Sequence, residues 1–595
     1  MFGAGLFALF FLTARYGIGL HDEIFYHGLT HRLFLGERMI ADEWHLSQFA
    51  YLVNVPVDHL YYFLKGSTEG FNLFTRYAFV AADALFYVFL YASLRRYGIA
   101  GLAASLMFCA LVPQVFFTGS YATVSVAALL VFCLLTFFGE QPKRAPRLVA
   151  AGLALALCVL TQPFFLFGYV LWALAAAVFF AVRRFRGLNA EKTPVFLRRR
   201  TFLWISVGCV IPFIAVVAFL YISGSFEALP AVLPYLFTGV EYNASNLFSP
   251  SLLRMAVSFY GVLPLAGLCC STVLCAVLFF LKKRGPRVRA VLLGVSLFFF
   301  ALCLAHAGFR MAAGRNFEIT LQFIQFHNLP LLLFGPAPFL LSEKKDRGFA
   351  WTLLTATVFS LCADLSSSTQ IGLGGWVARV PVLLQLSELL KELWEARVSL
   401  RPAVKPEKFA KMLSAQGIRA VAVLLAVFCA ASFLQWNGMY IACESVYKPT
   451  EKLFLHVSEP LDCELEAGPL KGLLTTPTIG RIYANILSDL DKIRNATDGG
   501  VMVLDTNTWM YLYLQRPYAS FSTIYEDEPE RLAAYWRLPH TVKPEYIYVP
   551  LYHYNYWFRW DDRARYLLDE LREYIDFEEE TGKAGIIVRV RAIRQ

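Results

Sequence analysis

A succession of long apolar runs constrains this chain more than any other feature. They fall at 3–20, 71–94, 99–117, 122–138, 148–165, 166–182, 202–222, 252–281, 290–306, 319–341, 349–362, 371–390 and 420–436. At 1.5 Å per residue, about 17 to 25 residues of helix cross a ~30 Å hydrocarbon core. The runs are continuous rather than alternating, which excludes an ordinary β-barrel pattern. Hydrophobic residues make up 57% of the 595 and charged residues 16%, too apolar for a soluble domain. The expected fold is a polytopic α-helical membrane protein of about thirteen transmembrane helices, with eleven or twelve left open.

Basic residues set the expected orientation. Arg95-Arg96, Lys143 with Arg144 and Arg147, and the segments 183–200, 282–289, 344–347 and 391–419 fall in alternate loops. The loop 223–251, on the other side, has no Lys or Arg. Positive loops stay inside, so the N-terminus is expected in the cytoplasm and the C-terminal segment outside a cell membrane, bacterial by expectation. The net charge of +10 is then an orientation signal, and a nucleic-acid partner is not expected. The first run lacks a basic start and a small-residue cleavage site, so it reads as a retained span.

Two regions follow. Residues 1–436 form a transmembrane unit with a large first outer loop, 21–70, and residues 437–595 a small extracytoplasmic α/β domain. In the latter, 500–504, 546–550 and 585–590 read as strands and 563–574 as an amphipathic helix. Ten of the twelve cysteines lie inside spans, as small apolar side chains. Cys443 and Cys463 lie in the last segment, where a disulfide and two free thiols both remain open.

Chemistry concentrates in the first outer loop. His21-Asp22-Glu23 follows the first span directly, and a carboxylate held there at fixed depth can serve as a general base at a lipid surface. Acids favourably placed against a helix N-terminus are the plainer reading. From Glu23 onward a helix puts Phe25, Leu29 and Leu33 on one face and Glu23, His27 and His31 on another, the pattern of an interfacial helix. A solvated polar face is expected there, with a divalent metal site as the alternative. A second cluster, Asp42-Glu43 with His45 and Gln48, either lines a donor or acceptor cleft or is exposed. Arg310, Arg315 and Arg379 are candidates to hold a phosphate, or they anchor helices at the interface. Asp83 and His327-Asn328 stand inside predicted spans, where ionisable groups usually face a bundle interior.

Together, Asp22-Glu23 in a large first outer loop, many spans and an outer C-terminal segment resemble the GT-C superfamily of integral membrane glycosyltransferases. That superfamily includes the protein O-mannosyltransferases and the lipid A aminoarabinose transferases. The resemblance implies a polyprenyl-phosphate sugar donor and an envelope glycan, lipid or protein acceptor. It also implies inversion at the anomeric carbon, with Asp22 as catalytic base and Glu23 able to share the role. Many relatives carry further acids between the third and fourth spans, where this chain reads Thr118-Gly119-Ser120-Tyr121. Asp42-Glu43 then takes over, or metal dependence is absent; no cofactor is certain. The aromatic run 552–557 would stack acceptor glycan or belong to a core. A flippase of lipid-linked glycans and an inactive membrane scaffold are the competing readings; the first expects internal repeats, which the sequence does not display.

Overall fold

The computed structural model describes residues 2–18, 21–109, 117–139, 143–186, 198–236, 250–281, 285–312, 328–344, 346–364, 372–399, 447–450, 453–456, 461–524, 528–552 and 559–594. The chain opens with α1 (Phe2–Thr13), α2 (His21–Phe34), a 3-10 turn (Leu46–Val53) and α3 (Val55–Lys65). Next come α4 (Phe71–Leu94), α5 (Gly98–Cys109), α6 (Tyr121–Phe137), α7 (Ala145–Thr161) and α8 (Phe165–Arg186). After these lie α9 (Arg199–Ile222), α10 (Ser225–Leu236), α11 (Pro250–Tyr260), α12 (Val262–Phe280) and α13 (Pro286–Ala312). Then follow α14 (Asn328–Phe334), α15 (Pro336–Leu341), α16 (Arg347–Asp364) and α17 (Gly375–Ser399).

Among the described residues, five helical stretches are long and apolar enough to cross a membrane: Phe71–Cys109, Phe165–Val182, Arg199–Ile222, Val262–Phe280 and Pro286–Ala307. Leu85, Leu171, Val178, Phe213, Val273 and Phe298 point outward from them, each more than half exposed. Apolar surface on that scale suits a lipid surround rather than water, and the chain is a helical membrane protein. Shorter apolar helices, α6, α7 and α16 among them, pack between the long ones. Helices α7 and α9 meet backbone to backbone. A Cβ on Gly152 would lie 2.1 Å from the Ile205 carbonyl oxygen, and one on Gly208 would lie 2.2 Å from that of Val149. Small residues permit such close crossings in membranes.

Three predicted spans differ in the structure. The first, 3–20, is helical only over α1, Phe2–Thr13, and turns at residues 14–17, where Arg76 takes up the freed carbonyls of Ala14 and Gly17. The run 252–281 is two helices, α11 and α12, broken at Gly261 with φ +80°, a conformation glycine adopts freely. His306 on α13 donates its Nδ1–H to the Phe259 carbonyl beside this break at 2.7 Å. The run 319–341 is helical from Asn328 and divides at Gly335 into α14 and α15, because Pro336 cannot donate the backbone bond that would continue the turn. Residues 319–327, 110–116 and the run 420–436 lie outside the described residues.

Beyond residue 446 the described elements begin with hairpin β1 (Tyr447–Thr450) and β2 (Leu453–His456), then β3 (Cys463–Glu464) and β4 (Leu474–Thr475). Helix α18 (Pro477–Ala496), β5 (Gly500–Val503), α19 (Trp509–Leu514) and α20 (Pro529–Arg537) follow. The chain closes with β6 (Pro544–Pro550), α21 (Asp561–Tyr574), β7 (Ile575–Thr581) and β8 (Gly585–Ile593). The main sheet has the order β5-β6-β8-β7, with β5 and β6 parallel and the other pairs antiparallel. Helix α18 starts on Thr476, whose side chain accepts from the Ile479 N–H at 3.3 Å, and buries Ile482, Ile486, Leu490 and Ile493 as one stripe. Cys463 packs on Gly480; Cys443 lies outside the described residues.

This C-terminal unit does not keep its core to itself. One apolar cluster joins Phe25, Tyr26, Leu29 and Trp44 to Val232 of α10 and to Met502, Phe521, Ile547, Leu568 and Val588. Another joins Ile18, Ile24, Tyr61 and Tyr62 to Ile486, Val503, Trp509 and Tyr548. The C-terminal unit therefore shares its core with loop 21–70 and with α10.

Candidate functional site

Helix α2 is the axis of the site. Residues 23 to 32 are all buried, which corrects the expectation of an interfacial helix with a solvated polar face. Gly28 makes the close packing possible. A Cβ there would lie 1.9 Å from Thr508 Cγ2, so the loop after β5 rests on the helix backbone. Asp22 sits in the first turn of α2, and its side chain lies outside the described residues.

The polar face of α2 reaches three separate partners. Glu23 accepts from Arg76 Nε at 2.6 Å and from Nη2 at 3.0 Å, both residues being almost fully buried. The same guanidinium donates through Nη1 to the carbonyls of Ala14 at 2.7 Å and Gly17 at 2.9 Å. Arg76 thus ties the turn between α1 and α2 to the start of α4. Glu23 is taken up by this fork–fork pair. One turn on, His27 Nδ1 lies 2.8 Å from Asp58 Oδ2, and its Nε2 lies 2.9 Å from Thr118 Oγ1. Thr30 Oγ1 donates to the same Asp58 oxygen at 2.6 Å. His31 Nδ1 pairs with the Tyr518 hydroxyl at 3.0 Å. Burial, aided by His59, pushes the His31 pKa down to about 3, so this imidazole is neutral. Glu23, His27 and His31 therefore do not converge on one point. Among the described residues no group of three His, Cys, Asp or Glu side chains is placed to hold a metal ion.

In the second acidic cluster Asp42, Glu43 and Gln48 are buried, which corrects the expectation of exposure. Glu43 Oε2 accepts from Arg32 Nη1 at 2.9 Å and from the Thr523 N–H at 3.2 Å, and its Oε1 accepts from the His45 N–H at 3.1 Å. Arg32 also donates to Glu37 at 2.6 Å and to the Ser520 carbonyl at 3.0 Å. Glu37 in turn accepts from the Tyr518 N–H at 2.7 Å. Asp42 accepts from the Arg38 N–H at 2.7 Å. Gln48 accepts from the Ile40 N–H at 2.8 Å, steadying a β-branched residue at φ +65°. His45 is half-buried, its ring edge-on to Phe25. These charges fasten the first loop to residues 518–523. The burial explains why they are paired so thoroughly.

The cation candidates separate. Arg379 is fully buried in α17, its guanidinium 3.7 Å from the Trp376 ring and 2.9 Å from Asn328 Oδ1. It joins α17 to α14 rather than presenting itself as a headgroup anchor. Arg310 lies in the last turn of α13, its side chain outside the described residues, as is Arg315 altogether.

Beneath α2 and α3 lies a cavity of about 420 Å³, walled by α4, α5 and α6. Its polar lining includes His27, Asn54, Asp58 and Thr118, the hydroxyls of Thr75 and Thr123, and Asp83 with Cys109. The turn Thr118–Ser120 is held in place by Asn54, whose Nδ2 donates to the Gly119 carbonyl at 3.0 Å, and by the Ser120 cap of α6. Asp58, His27 and Thr118 form a carboxylate–imidazole–hydroxyl chain. With Nδ1–H on Asp58, Nε2 is the lone-pair side of the ring and takes the Thr118 O–H.

Sequence reasoning missed Asp58 and Arg76. Asp58 falls in the first turn of α3, where an acid reads as a dipole partner. Arg76 falls at the start of a span, where it reads as an anchor. The signal available was that Asp58 lies amid an otherwise apolar and aromatic stretch, Val55–Leu64. No family model and no curated protein matches the chain.

Proposed function

We propose that this membrane protein is a glycosyltransferase that moves a sugar from a polyprenyl-phosphate carrier to an acceptor of the cell envelope on the outer face. The proposal includes about thirteen spans, a cytoplasmic N-terminus and the α18–β8 unit outside, as the basic-loop pattern indicates. The observation that carries it is the burial and clamping of α2. Arg76 fixes Glu23, and with it the backbone of Asp22, at the boundary between the helix bundle and the C-terminal unit. A base needs that constancy of position more than it needs a special pKa. In the reaction the acceptor oxygen attacks the anomeric carbon while Asp22 takes its proton. The bond to the carrier phosphate breaks, the phosphate leaves with the electron pair, and the anomeric configuration inverts.

The test uses membranes containing the chain and a panel of radiolabelled polyprenyl-phosphate sugars, comparing wild type with Asp22→Asn. Transfer or donor hydrolysis is expected in the wild type and at background in the variant at equal expression. Activity surviving Asp22→Asn removes Asp22 from the mechanism. Tight binding of lipid-linked glycan without turnover would instead favour a flippase or a scaffold.

A further inference from the structure

The cavity beneath α2 has a chemistry that the proposed transfer does not use. Phe79, Phe86 and Phe108 give it an apolar wall, and two carboxyl groups border it, Asp58 from α3 and Asp83 from α4. Asp58 Oδ2 accepts from His27 and Thr30. Asp58 Oδ1 and Asp83 Oδ2, in contrast, are shut off from solvent and have no hydrogen-bond partner among the described residues. Buried acceptors are nearly always satisfied, and two left open on one cavity mark a missing donor. Among the described residues that line the cavity, none is Lys or Arg. A phosphate would therefore meet two acids and no cation, so the carrier phosphate is a poor occupant.

We infer that this cavity binds an amphiphile whose head group donates hydrogen bonds, an alcohol or an amine on an aliphatic chain. The head group supplies donors to Asp58 Oδ1 and Asp83 Oδ2, the two oxygens left over once His27, Thr30 and Cys109 have paired with these carboxyls, and the aromatic wall takes the chain. The site lies between membrane helices, so the ligand arrives from the lipid phase. Its occupancy is separate from the role of Asp22 and stands or falls without it.

The experiment uses the full chain in phosphatidylcholine nanodiscs with three photoreactive probes: hexadecylamine, hexadecanol and hexadecyl phosphate, each carrying a mid-chain diazirine. Cross-linked peptides are mapped by mass spectrometry. The amine or the alcohol is expected to label α4 and α6 about tenfold more than the phosphate does, because the phosphate meets the two acids with like charge. Labelling by one of the two alone identifies the source of the head group. Asp83→Asn lowers amine labelling about tenfold and spares the alcohol, which still finds an acceptor. Ala127→Leu fills the cavity without altering either carboxyl and blocks both probes. Equal labelling by the phosphate, or labelling indifferent to both substitutions, overturns the assignment.

Discussion

Breaking the Glu23–Arg76 pair is the most direct trial of how the site is held. Both side chains are buried, and the guanidinium makes bonds of 2.6 and 3.0 Å to the carboxylate and 2.7 and 2.9 Å to the Ala14 and Gly17 carbonyls. Arg76→Ala strands a buried carboxylate and takes a donor from both carbonyls, a cost of about 3–5 kcal/mol. Glu23→Gln keeps the shape and loses the charge, leaving a buried cation with weaker acceptors, at about 3 kcal/mol. Arg76→Lys keeps the charge but cannot fork, and about 1–2 kcal/mol is expected. Combining Glu23→Gln with Arg76→Gln should cost about 2 kcal/mol less than the two singles added, because each single leaves the other partner uncompensated. Thermal unfolding of the purified protein, followed by tryptophan fluorescence, ranks the midpoints. A wild-type midpoint for Glu23→Gln, or strict additivity in the double variant, would refute the reasoning.

Two further outcomes are expected. The His31 pKa is about 3 in the folded protein against 6.5 unfolded, so as pH falls the unfolded chain binds the proton first. Stability is then full above 6.5 and declines between 6.5 and 3, by about 2 kcal/mol near pH 5. His31→Gln should flatten that contribution when melting midpoints are compared at neutral and mildly acidic pH; an unchanged slope would contradict it. Gly28→Ala should destabilise by about 1–3 kcal/mol through its clash with Thr508 Cγ2. Thr508→Ser removes that methyl group and should restore the midpoint in the double variant, which a loss caused elsewhere would not show.

Much of the helical part was legible because a span announces itself by length and composition alone. The run 71–94 is helix α4 residue for residue. The strands at 500–504, 546–550 and 585–590 were legible as short apolar runs between turns. What the sequence hid was pairing at long range. The polar face of α2 looked like a solvated stripe because nothing near it in the chain announces Arg76, Asp58 or Tyr518. Helix periodicity reports which side chains share a face, and it is silent on whether that face meets water or a buried partner. Gly261 was likewise read as part of one run, since a single glycine inside an apolar stretch does not by itself declare a positive φ.

The shared core also fixes an order of events. Arg32 bonds to the Ser520 carbonyl across 488 positions of the chain, and Glu43 meets the Thr523 N–H across 480. At the usual pace of synthesis the partners of α2 emerge roughly 25 to 100 s after the helix itself. Through that interval Arg32 has Glu37 and Glu43 of its own loop as partners but not the cover of residues 518–523, so the cluster stays in contact with water. Helix α2 is thus made well before the segment that encloses it. A nascent protein stalled before residue 518 leaves the Arg32–Glu43 cluster open to water, whereas the Glu23–Arg76 pair already has both of its partners.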